Sequence, residues 1–164
     1  MDFYYIEESY PSTEVEKPNF SYAKQMVDNI GGRNSEMTAI SSYFFNSLCG
    51  GADDIKNVFN QVGKVEMHHL HIFGELARNL GEKPLLWSNC GHRRVWWSPS
   101  YTDYPMGICD LLEAAIQGET AAIEKYQSQT RCIGDHVVKE NLRRIIADEE
   151  LHVKIFTELY RKYA

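Results

Sequence analysis

Two short patterns in the chain could do metal chemistry. Glu66-Met67-His68-His69 and Glu149-Glu150-Leu151-His152 each place a glutamate three residues before a histidine, and each is preceded at 30 residues by another glutamate, Glu36 and Glu119. Positions i and i+3 share one face of a helix, so each Glu-x-x-His points a carboxylate and an imidazole at the same place. One such match is common by accident. The symmetric pair is not, because the halves that carry it are copies of one another. Sliding the sequence by 83 residues lays 36–79 over 119–162 without a gap, and fourteen of the forty-four positions are identical, where unrelated segments of ordinary composition give about three. Tyr43/Tyr126, Phe73/Phe156, Glu66/Glu149 and His69/His152 are among the repeats.

Glu36 has Met37, Ala39, Ile40 and Tyr43 around it at helical spacing, and Glu119 has Ala115, Ile116, Ala122 and Ile123. Taken singly, any of the six polar residues reads as a solvated helix position. As a set beside apolar stripes they do not, since ionised carboxylates near the middle of buried helices are very costly unless paired or bound to cations. Four carboxylates and two neutral imidazoles carry −4, which two divalent cations neutralise, and mixed oxygen and nitrogen donors suit iron or manganese better than magnesium or calcium.

The elements that must position this set are helical. Pro occurs only at 11, 18, 84, 99 and 105, leaving long stretches open to helix. The apolar spacing predicts one helix from Asn19 to about Leu48, with a kink or break at Gly31-Gly32, and a second from about Asp53 that stops at Gly81 with Pro84 beyond. A third starts around Pro105, and a fourth runs from near Asp135 to the C-terminus. Residues 82–105 hold all three Trp and three of the five Pro, and a link of that length can cross the whole of a bundle. The Trp residues are expected to pack on the bundle side or against a second subunit. The expected fold is all-α: a four-helix bundle of two antiparallel hairpins joined by a long crossover, spanning 19–164, with an acidic, Tyr-rich arm at 1–18.

The chain of 164 residues, 43% apolar and 24% charged, suits one domain and is too short for separate cofactor and substrate modules. A net charge of −6 argues against nucleic acid or anionic lipid as partner. No apolar stretch nears the ~20 residues of a membrane span, and Met1–Tyr5 lacks the opening of a secretory leader, so a cytoplasmic protein is expected. Cys49, Cys90, Cys109 and Cys132 form no C-x-x-C pair and are expected as reduced, mostly buried thiols.

With these residues in view, the sequence resembles the ferritin-like di-metal carboxylate proteins over about residues 19–163, most of all rubrerythrins, manganese catalases and bacterioferritins. Gly118-Glu119 resembles the Gly-Glu of the rubrerythrin third helix, and Asp148-Glu149-x-x-His152 the Asp-Glu-x-x-His of many members. The resemblance implies a dinuclear centre of two Fe or two Mn, in which Glu66 and Glu149 bridge, Glu36 and Glu119 are terminal, and His69 and His152 each bind one metal. Tyr43 and Tyr126, two turns beyond Glu36 and Glu119, are candidates to hydrogen-bond metal carboxylates, and Asp148 to orient His69 by accepting its ring N–H. The chain departs from rubrerythrins in having Ala122 where they place a further carboxylate, and in lacking the Cys pairs of a rubredoxin domain. Met67 occupies the place of the haem-ligating Met of bacterioferritins, but haem is not expected, since a helix-face Met usually packs. His68 and His71 read as surface positions, and His92, Arg93 and Arg94 as an entry path or solvated positions.

The implied activity is an oxidoreductase acting on hydrogen peroxide or dioxygen, either catalase-like or peroxidase-like, the latter with an external electron-donor protein. The alternatives are ferroxidase and iron storage, or a structural coat component whose bundle the metal only staples. A homodimer or larger homo-oligomer is expected.

Overall fold

A computed structural model describes residues 4–90 and 93–164. Met1–Phe3 and Gly91–His92, and with them the reading of the chain start and of His92 as part of an entry path, lie outside the described residues. Five α-helices account for most of the chain: α1 (Phe20–Gly31), α2 (Glu36–Cys49), α3 (Asp53–Asn79), α4 (Ile108–Cys132) and α5 (His136–Tyr163). Helices α2 and α3 pack as one hairpin and α4 and α5 as the other, α1 lies against α3, and α3 meets α5 across the bundle. This is a ferritin-like four-helix bundle with α1 added. No described helix is long and apolar enough to cross a membrane.

The ends of the helices follow from local chemistry. Asn19 caps α1 by accepting from the amides of Ser21 and Tyr22, Ser35 caps α2 through the Thr38 amide, and Asp135 caps α5 through Val138, each satisfying amides that a helix start leaves without partners. The helix expected from Asn19 to Leu48 is broken at the expected Gly31-Gly32 into two helices. The break has a packing reason: a Cβ on Gly31 would sit 2.3 Å from the Trp87 backbone nitrogen, so α1 ends where the returning crossover presses on it. A consequence is that Glu36, expected inside a helix, is the first residue of α2, where the helix dipole favours a carboxylate. Its repeat partner Glu119 lies well inside α4.

The crossover is not irregular throughout. After Gly81, at φ 105°, it forms an antiparallel hairpin of β1 (Trp87–Cys90) and β2 (Arg93–Trp96), in register Trp87 to Trp96, and then a 3-10 turn at Pro99–Tyr101. Trp87 is buried with Arg94 over its ring, Trp97 donates through Nε1 to Thr38 Oγ1 at 3.0 Å, and Trp96 is exposed. The thiols are a correction as well: Cys49 and Cys132 are exposed and Cys109 half-buried, because each sits at or near a helix terminus.

The apolar core comes in two parts. One, around α1, gathers Met26, Ile30, Phe73, Leu76, Tyr126 and Leu142, and the other Tyr43, Phe59, Val62, Leu112 and Phe156. The repeat is visible in them: Tyr126 packs on Phe73 at 5.2 Å, and Tyr43 on Phe156 at 5.6 Å, between ring centroids. A polar layer lies between the two.

Candidate metal centre

Each of the four bundle helices contributes to that layer: Glu36 from α2, Glu66 and His69 from α3, Glu119 from α4, Glu149 and His152 from α5. All six are buried, each 2% exposed or less. Their donor atoms fall into two overlapping sets, Glu36, Glu66, His69 and Glu149 in one and Glu66, Glu119, Glu149 and His152 in the other, the atoms within each set lying within 4.8 Å of one another. Glu66 and Glu149 belong to both.

The imidazoles are held from outside the layer. His152 Nε2 stands 2.8 Å from the main-chain carbonyl of Tyr4. A carbonyl only accepts, so that nitrogen carries the proton. His69 Nε2 stands 3.1 Å from Asp148 Oδ2 and 3.2 Å from the Tyr10 hydroxyl, which itself donates to Asp148. Neutral rings so held turn the Nδ1 lone pairs inward, a tautomer lock of the kind that tunes metal ligands. Inward lie carboxylates. His69 Nδ1 is 3.0 Å from Glu66 and 3.2 Å from Glu149, and His152 Nδ1 is 2.9 Å from both. One oxygen each of Glu66 and Glu149 has no hydrogen-bond donor. Lone pairs facing carboxylate oxygens at these distances require positive charge between them, and the donor set fits two divalent ions of the iron or manganese type.

The electrostatics of the cluster point the same way. Burial and the charges of Glu66 and Glu149 raise the Glu119 carboxyl to about 8 and hold Glu36 well above its ordinary range. Burial opposes charge on the imidazoles, yet the surrounding carboxylates outweigh it and draw both well above 6.5. Glu66, also opposed by burial, is lowered by the two histidines. Without metal, protons supply the positive charge.

Around the six, each repeated tyrosine reaches across to the other hairpin. Tyr43 of α2 donates to Glu119 of α4, and Tyr126 of α4 to Glu36 of α2. Asp148 accepts from the Ile6 amide at 2.6 Å as well as from Tyr10, and pairs with Arg144 at 2.7 Å. Burial disfavours its charge, but these donors and His69 prevail and lower it to about 2. Sequence reasoning passed over Tyr10, Arg144 and the Tyr4 carbonyl. Only Arg144 left a trace, standing one helical turn before Asp148, where an ion pair is expected. Of the lesser candidates, Met67 is exposed on α3, His68 stacks edge-on against Tyr10, and His71 lies on the surface 4.0 Å from Glu75.

Between α2 and α4 a cavity of about 390 Å³ opens onto the layer. Its floor includes Glu36, Glu119, Tyr43 and Tyr126, and its mouth the exposed Arg33, Asn34, Asp103 and Gln117. Ala39 and Ala122, another repeated pair, line it. The carboxylate that rubrerythrins place at position 122 would project into this space.

Bundle and layer together define a ferritin-like protein of the di-metal carboxylate class. Within that class, residues 2–85 match the family model "Manganese containing catalase", and the chain belongs to that family. A probable manganese catalase from Clostridium acetobutylicum is 25% identical over 170 residues, covering 91% of this chain and 74% of that protein. The crystal structure of KatB, a manganese catalase from Anabaena, superposes with a TM-score of 0.87 at 19% identity over 99% of this chain and 80% of that one. Wild-type KatB gives 0.82 at 20% identity over 98% and 80%. These structural likenesses show the shared fold. Family and buried cluster together make the protein a dinuclear-metal oxidoreductase that acts on peroxide.

Proposed function

We propose that the protein is a manganese catalase, converting two hydrogen peroxide molecules to two water and one dioxygen at a dinuclear manganese centre. Glu36 and His69 would hold one ion, Glu119 and His152 the other, with Glu66 and Glu149 shared. The observation that carries this reading is the overlap of the two donor sets in Glu66 and Glu149. Family membership supports manganese over iron, and dismutation over a peroxidase cycle, because peroxide then serves as both oxidant and reductant and no donor protein is required.

A bound manganese pair supplies two-electron redox cycling. The protein's own residues supply position and access. The cavity between α2 and α4 is the route by which peroxide reaches the layer, and it meets the centre on the side of the two outer carboxylates. Tyr43 and Tyr126 each hold one oxygen of Glu119 and Glu36, fixing these carboxylates beside the centre. The tautomer lock on both histidines keeps their Nδ1 atoms inward through turnover. The apolar clusters on either side exclude bulk water from the layer.

Oxygen evolution by the manganese-loaded protein tests the proposal. With no added reductant, dioxygen is expected at half the peroxide consumed, and the Glu66→Ala/Glu149→Ala chain is expected to be inert. A chain carrying two Mn per molecule that leaves peroxide untouched, or consumes it only with an external donor, would sink the reading.

A further inference from the structure

The arm ahead of α1 touches both histidines from outside the bundle. Its residues 12–16 are moored far from the metal layer: the Ser12 carbonyl accepts from Asn141 at 2.9 Å, the Thr13 carbonyl from Asn79 at 2.7 Å, and the Glu16 amide donates to Asp135 at 3.0 Å. From that mooring residues 4–10 run across the centre. Tyr10 reaches the pair formed by Asp148 and His69, the Ile6 amide reaches Asp148, and the Tyr4 carbonyl reaches His152. Arg144 of α5 fastens the same stretch, donating through Nε to the Glu8 carbonyl at 2.8 Å and through Nη2 to the Ile6 carbonyl, with its guanidinium 4.2 Å from the Tyr10 ring centroid. Every hydrogen bond described to an Nε2 of a ligand histidine therefore involves the arm or the one carboxylate the arm grips.

We infer that residues 4–10 are a ligand-positioning strap, with Tyr10 its positioning residue, so that docking of the arm and occupancy of the metal centre are thermodynamically linked. The inference rests on the six-residue ligand set proposed above. The physical link is ring orientation. With the strap docked, the Tyr4 carbonyl holds Nε2 of His152 and the Asp148–Tyr10 pair holds Nε2 of His69, so that both Nδ1 atoms face the layer. With the strap lifted, His152 loses its outer partner and Asp148 loses the Tyr10 and Ile6 donors that place it against His69, so both rings are freer to turn. A metal ion bound at Nδ1 fixes the same ring orientation and so favours the docked strap. By linkage the two effects are equal: the factor by which docking tightens metal is the factor by which metal tightens docking.

The test uses the full chain, stripped by chelation and then reloaded with Mn²⁺ alone, with Mn²⁺ affinity and hydrogen exchange of the arm amides read together. The Ile6 amide in the wild-type chain is expected to exchange more slowly with Mn²⁺ bound. Tyr10→Phe, which keeps the ring and its packing, is expected to lower Mn²⁺ affinity by about 10–100-fold, the usual range for losing such a partner, and to reduce the metal-induced protection by the same factor. Asp148→Asn should act in the same direction. Exchange at Ile6 that ignores Mn²⁺ would overturn the inference, because an arm that merely covers the bundle has no reason to sense metal, and so would a Tyr10→Phe chain with wild-type affinity. In either case a wild-type chain that still takes up two Mn²⁺ leaves the proposed centre standing. A wild-type chain that binds no Mn²⁺ overturns both.

Discussion

Tyr43 and Tyr126 are each buried and each donate to the outer glutamate of the opposite hairpin. Burial and the adjacent carboxylate push both phenols well above 10, so they remain donors at any working pH. Replacing either with Phe keeps the ring contact with Phe156 or Phe73 but strips a buried carboxylate of its donor, at a cost of about 1–3 kcal/mol. Urea denaturation of the metal-free Tyr43→Phe and Tyr126→Phe chains should show losses in that range, with two Mn still bound after reloading, since neither hydroxyl is a ligand. The carboxyls themselves carry a pH signature. Glu119, raised to about 8, holds its proton at pH 7 in the metal-free chain, and the Glu36 carboxyl and both imidazoles are raised in the same direction and hold theirs to higher pH than usual. Ligation needs all of them deprotonated. Mn²⁺ uptake at pH 7 should therefore release protons, and affinity should fall as pH falls. Titration calorimetry in two buffers of different ionisation enthalpy measures the release, and proton uptake on binding would contradict the assignment.

At the scale of elements, α1 and the crossover are what the repeat lacks a second copy of, and they meet at Gly31. Its missing Cβ is needed at 2.3 Å from the Trp87 nitrogen, and the atoms it would strike are backbone. Backbone cannot swing aside as a flexible side chain can. Gly31→Ala should therefore cost about 1–3 kcal/mol or more, the usual penalty of overpacking, seen as a lowered urea midpoint and as faster hydrogen exchange in β1. The same elements mark where sequence and structure part. Helices α3, α4 and α5 were legible because their apolar stripes run unbroken to a capping or stopping residue. The six clustered side chains were legible because an ungapped repeat carries two copies of one spacing. Strands β1 and β2 were not anticipated, since four-residue strands within a Trp-rich, Pro-flanked link carry too short a period to read. The arm's role was not legible either. The contacts of residues 4–10 to α5 join residues more than 130 positions apart, and three of them run through main-chain carbonyls, which leave no mark in a sequence.

For the molecule as a whole, the layer of glutamates and histidines separates two apolar clusters that could otherwise be one. A layer of four glutamates and two histidines in that position weakens the metal-free bundle, because its protons and hydrogen bonds only partly offset desolvation. Metal reverses the deficit by mass action. A ligand that binds only the folded chain adds about 2.7 kcal/mol when free ligand is 100 times the Kd, so two sites add roughly 5 kcal/mol, and in a chain of this size each kcal/mol moves the Tm by about 2–4 °C. Saturating Mn²⁺ should thus raise the Tm by about 10–20 °C over the chelated protein in a calorimetric scan. The Glu66→Ala/Glu149→Ala chain supplies the contrast. It has lost both shared carboxylates and should melt at one temperature with or without Mn²⁺. If the wild-type chain also melted at one temperature in Mn²⁺ and in chelator, the layer would be a self-contained polar network rather than a metal centre.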